Sequence, residues 1–85
     1  MVNSIIVTVE IPGTSITRDI ELPCQIPVDE LERLLLDGLK TEFSEFFSTV
    51  RAIQIWSGSK RINPSHSLAE MGIWDGSILT IKSEN

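Results

Sequence analysis

Residues 4–11 alternate, with Ile5, Val7, Val9 and Ile11 on one parity and Ser4, Ile6, Thr8 and Glu10 on the other. A period of two predicts a strand with one face on a core and the other toward water. Pro12-Gly13-Thr14-Ser15 supplies a turn, since proline presets its own φ and glycine reaches positive φ without a Cβ clash. Ile16, Arg18, Ile20 and Leu22 then share a parity and predict a second strand, paired with the first as a hairpin. Arg18 is the polar member of that inward set, which places it where the hairpin end opens to water.

After Pro23 the period changes. Val28, Leu31, Leu34, Leu35 and Leu39 recur at spacings of three and four, the signature of an amphipathic helix. Pro27 is tolerated at its start, where no intrahelical bond needs the missing N–H, and Asp29, Glu30 and Glu32 put negative charge against the exposed N–H groups of the first turn. The helix is expected to end between Gly38 and Phe43. Residues 41–51 carry no period that assigns them an element. Their Phe43, Phe46 and Phe47 stand at helix-like spacing and read as core packing with one ring left outside.

Alternation returns at residues 52–56, with Ile53 and Ile55 facing one way and Gln54 and Trp56 the other. Ser57-Gly58-Ser59-Lys60 turns the chain into a short extended piece at Arg61-Ile62, a second hairpin. Ser67-Leu68-Ala69-Glu70-Met71-Gly72 reads as one helical turn ended by glycine, and Asp75-Gly76 turns into a last strand over residues 78–82. The order is strand, strand, helix, strand, short strand, strand.

Composition narrows the function classes. Eighty-five residues, 41% of them hydrophobic, suit one domain over residues 1–85. Seven basic against 12 acidic residues leave a net charge of −5, which repels phosphate backbones and anionic leaflets, so nucleic acid is not an expected partner. No apolar run approaches the ~20 residues of a membrane span, and no basic stretch with an apolar core opens the chain, so direct membrane insertion and signal-directed export are not expected. The lone Cys24 permits no internal disulfide, no Cys/His spacing suits a metal, and no cofactor is expected.

The element order resembles the ubiquitin-like β-grasp, an α+β fold whose mixed sheet wraps one main helix, with a one-turn helix before the last strand. The most specific piece is the tail, Ser67-Leu68-Ala69-Glu70-Met71-Gly72-Ile73, then Asp75-Gly76 and Leu79-Thr80-Ile81. Asp19-Ile20-Glu21-Leu22-Pro23 followed by Ile26-Pro27-Val28-Asp29-Glu30-Leu31 is similar to the YukD/EsaB family of small ubiquitin-like proteins, and to the amino-terminal domain of EccD membrane proteins. Both belong to type VII secretion systems of Gram-positive bacteria. The resemblance implies a cytoplasmic, non-catalytic adaptor that binds membrane or regulatory components of the secretion machine, lying at the inner face of the membrane through a partner. One alternative is the excised cytoplasmic domain of a larger EccD-like protein. Another is a covalent modifier lacking its diglycine tail, which Lys82-Ser83-Glu84-Asn85 disfavours. The outward positions that form ubiquitin's apolar patch are read by parity as Gln54, Thr80 and Lys82, none an apolar anchor.

Trp56 and Trp74 are the leading partner-binding candidates, since tryptophan is enriched at binding hot spots; the plainer reading folds each ring over the sheet edge. Ile6 has outward parity and would extend an apolar patch, or be half-covered. Arg51, Lys60 and Arg61 make a small basic spot beside the third strand, either solvated charge or a seat for an acidic partner. No catalytic residue is expected: His66 reads as a turn or cap residue, and Cys24 has no basic neighbour to favour its thiolate.

Overall fold

The computed structural model describes residues 3–84, so Asn85 of the tail lies outside the described residues. Strands β1 (Ser4–Glu10) and β2 (Thr17–Pro23) form the first hairpin, and helix α1 (Val28–Glu42) and the single-turn α2 (Ser44–Phe47) follow. Strands β3 (Ala52–Ser57), β4 (Lys60–Arg61) and β5 (Ile78–Glu84) complete one sheet, ordered β2-β1-β5-β3-β4. The central pair β1/β5 is parallel and the others antiparallel. This is the ubiquitin-like β-grasp expected above.

The alternating residues do what their period demands. Ile5, Val7 and Val9 of β1, Ile53 and Ile55 of β3, and Leu79 and Ile81 of β5 are all buried against α1, each removing apolar area worth about 1.5–3 kcal/mol. On β2 only Leu22 is fully buried; Arg18 follows the inward parity but lies exposed, its guanidinium 3.3 Å from the Glu42 carboxylate and 5.3 Å from the Phe43 ring centre.

The helix face differs from the expected one. Val28, Leu31, Glu32, Leu35, Leu36 and Leu39 are its buried residues, whereas Leu34 is 55% exposed. The buried set keeps strict three-four spacing, and Glu32 occupies a place in it. Its carboxylate accepts the Ile55 main-chain N–H of β3 at 3.2 Å, so it closes a contact between helix and sheet instead of serving the helix dipole. Loop carbonyls complete the helix start: Val28 N–H donates to His66 and Asp29 N–H to Pro64, at 2.8 and 2.9 Å. Phe43, at φ −126° and ψ 54°, breaks the helix, and α2 then buries Phe47 while Phe46 stays outside.

The turn before β5 is held by a reciprocal pair. Ser67 N–H donates to the Glu70 carboxylate at 2.9 Å, and Glu70 N–H to the Ser67 hydroxyl at 3.1 Å. The Ser67 N–H chiefly holds the Glu70 carboxyl below its ordinary range, with His66 adding to the effect. This pair positions Leu68, which is fully buried.

Candidate interaction surface

The outer face of the sheet, opposite α1, carries two large exposed apolar side chains close in register, Ile6 at 55% and Ile78 at 56% exposure, and Trp74, at 63%, stands in the loop that leads into β5. Thr8 pairs with Ile78 in the parallel β1/β5 ladder, so Ile6 and Ile78 are diagonal neighbours on the same face. Trp74 is brought to them by the turn that opens β5. Asp75 Oδ1 accepts the Ile6 N–H at 2.8 Å, and Gly76 N–H donates to the Ile6 carbonyl at 2.9 Å. Gly76 makes this approach at φ 87°, a backbone conformation that a Cβ disfavours.

Trp56 extends the band on the other side. It pairs with Thr80, which places Ile78 diagonal to it as well. Its ring is half-buried beneath Lys82, whose ammonium sits 3.9 Å from the ring centre, and its indole N–H donates to Gln54 Oε1 at 3.0 Å. Of the sequence candidates, Ile6 and Trp56 therefore lie along one face, and Trp74 stands exposed in the turn that opens β5. Ile78 was not among them, although it shares the outward parity of Thr80 and Lys82. The outer face does hold an apolar band, displaced toward the start of β5 from the Gln54, Thr80 and Lys82 positions.

The basic candidates divide. Lys60 and Arg61 pair with Ser57 and Trp56 at one end of β3, while Arg51 precedes its other end, roughly 17 Å away along the strand. All three are exposed. Burial pushes the Glu32 carboxyl up, against the Ile55 N–H and the Arg61 charge that lower it.

Cys24 is buried at 2% exposure, and its main chain joins two segments, donating to Asn3 and accepting from Ala69. His66 stands at the surface with Nδ1 3.6 Å from the Glu70 carboxylate. Among the described residues no group of three or more His, Cys, Asp or Glu side chains is arranged to hold a metal ion. No helix of the described chain is long and apolar enough to cross a membrane.

A family model described as "WXG100 protein secretion system (Wss), protein YukD" matches residues 4–81. No curated protein matches the sequence. Among solved structures, the EccD5 ubiquitin-like domain from Mycobacterium xenopi superposes with a TM-score of 0.78 at 18% identity, over 96% of each chain. The ubiquitin-like domain of the Mycobacterium tuberculosis type VII secretion system protein ECCD1 gives 0.63 at 21% identity, over 94% of this chain and 98% of that one. A chain of the MycP5-free ESX-5 inner membrane complex gives 0.78 at 19% identity, over 96% of this chain but 21% of its own length. Identities this low establish a common fold.

Proposed function

The chain belongs to the YukD family of the WXG100 secretion system, and from that premise we propose that it works as a single-domain, non-catalytic and non-conjugated adaptor, binding components of a type VII secretion machine on the cytoplasmic side. The observation that carries the reading is the apolar band on the outer face, where Ile6, Ile78 and Trp74 are each more than half exposed. Scattered single apolar residues are ordinary on a protein surface, but a contiguous set with a tryptophan is the composition of a binding hot spot. Trp56 continues the set, and Asp75 and Gly76 hold its geometry through their bonds to Ile6.

Affinity capture from a Gram-positive lysate tests this. The wild-type chain is expected to retain secretion-machine components, and Ile78→Asp and Trp74→Ala to lose them with little change in melting temperature. Retention of every partner by both variants overturns the assignment.

A second reading makes the sequence one cytoplasmic part of a longer membrane protein. It is supported by the likeness to a chain of an inner membrane complex of which this sequence spans only 21%. A gene that reads on into a series of apolar spans favours it, and a stop codon after Asn85 refutes it.

A further inference from the structure

The two sheet edges are unlike. On one side β4 is two residues long; on the other β2 runs for seven, with β1 as its one neighbour in the sheet. The pairs Val9↔Arg18, Val7↔Ile20 and Ile5↔Leu22 belong to the hydrogen-bonded series, because Ile11 N–H donates to Ile16 and Cys24 N–H to Asn3 at the two ends of the same parity. Thr17, Asp19 and Glu21 hold the alternate positions. Their main-chain N–H and C=O groups therefore point away from β1, to the open edge.

Beneath that edge α1 does not close against the sheet. A trough of about 290 Å³ lies between them, lined by Ile20, Leu22, Leu34, Leu35, Gly38 and Leu39, with Glu42 at its end. Leu34 is 55% exposed, and a Cβ on Gly38 would meet nothing within 4 Å. A strand laid beside β2, about 4.8 Å away, would put alternate side chains over this trough and the others on the outer face.

Charge selects what such a strand carries. The outward side chains of β2 include Asp19 and Glu21, both exposed, and the charged residue that lines the trough is Glu42. Arg18, the nearby cation, is already engaged by Glu42 and the Phe43 ring. Self-pairing of two β2 edges centred on Asp19 would set that carboxylate opposite its own copy, an unfavourable pair.

We propose that the β2 edge and the trough beneath it bind an extended segment of another protein by strand addition, and that this segment alternates branched apolar residues with lysine or arginine. The apolar residues fill the trough, the cations face Asp19 and Glu21, and the main chain meets the N–H and C=O groups of Thr17, Asp19 and Glu21. This surface is separate from the outer-face band.

The test is an NMR titration of the isotope-labelled chain with a capped Val-Lys-Ile-Lys-Val-Lys-Val-Lys peptide, beside an acidic counterpart with glutamate for lysine and a block-ordered isomer. The expected result is amide shifts at Thr17, Asp19, Glu21 and Gly38 with the alternating basic peptide, and much weaker binding of the other two. Gly38→Leu sets its Cβ in open space and its branch against the apolar lining of the trough, and is expected to weaken binding about tenfold or more while the fold is kept. No shifts, equal binding of the acidic or block peptide, shifts confined to Ile6, Trp74 and Ile78, or dimerisation of the free chain through β2 would each overturn the proposal. Ile78→Asp leaves β2 untouched, so failure here is distinct from failure of the adaptor reading.

Discussion

Gly38→Ala should stabilise the protein, and the size of the gain follows from its place in the helix. Gly38 lies inside α1, is exposed, has no positive φ, and offers a new Cβ open space to 4 Å. Nothing in the packing opposes the substitution, so the intrinsic difference between glycine and alanine in a helix interior, about 0.8–1.0 kcal/mol, should appear nearly whole. With 85 residues, an unfolding entropy of about 2.1 cal/mol/K per residue gives roughly 0.18 kcal/mol/K, so the melting temperature should rise about 5 °C. Thermal melts followed by far-UV circular dichroism, with urea titrations to confirm an unchanged slope, measure this. The same substitution at Gly72, held at φ 74°, should lower stability by about 1 kcal/mol. A Gly38→Ala protein with a native spectrum and an unchanged or lower melting temperature would refute the reasoning, since it would require the helix to depart from regular geometry there.

Leu68→Ala, at a fully buried position, should cost about 2–5 kcal/mol in urea unfolding, whereas Trp74→Ala, on the surface, should change stability by less than about 0.5 kcal/mol. Glu32→Gln keeps an oxygen acceptor for the Ile55 N–H and removes the buried charge. Because burial raises the folded-state pKa of Glu32, the folded protein binds more protons there than the unfolded one. The contribution of Glu32 is thus complete below the ordinary carboxylate range and is lost as pH rises through the raised pKa. The glutamine variant should gain on the wild type over that interval and match it in acid. Arg61 moderates the effect, while Glu84 and Asp29 reinforce it. Urea midpoints across the acid-to-neutral range decide, and a variant less stable at neutral pH contradicts the account.

Where a signal was local, the sequence carried it. The alternation of Ile5, Val7 and Val9 needs no tertiary knowledge, and Pro27 marks the helix start because its missing N–H is harmless there. Glu32 was misread because polarity assigned it to the first turn, although it falls in the three-four series with Leu31, Leu35, Leu36 and Leu39. Its burial depends on an N–H of β3, twenty-three residues on, that no helical pattern reveals. Leu34 was drawn into the core set by its hydrophobicity, yet one residue is about 100° of helix and carries it to the rim of the trough. Residues 44–47 gave no period because four residues make one turn. Ile78 was legible by parity with Thr80, but its neighbourhood with Ile6 needs the parallel register, which no local pattern encodes.

That central parallel pair also governs the order in which the chain can become a folded body. Thr8 finds its partner Ile78 seventy residues later, so β1 is synthesised well before the strand that covers its second edge. Until then Ile5, Val7 and Val9 have only the hairpin and helix to shield them, and the unpaired edge invites wrong partners. Loop closure over such a span makes folding slower than in a helical protein of equal size. Synthesis that halts before β5 leaves β1 with an open edge at the centre of the unfinished sheet, exposed to aggregation.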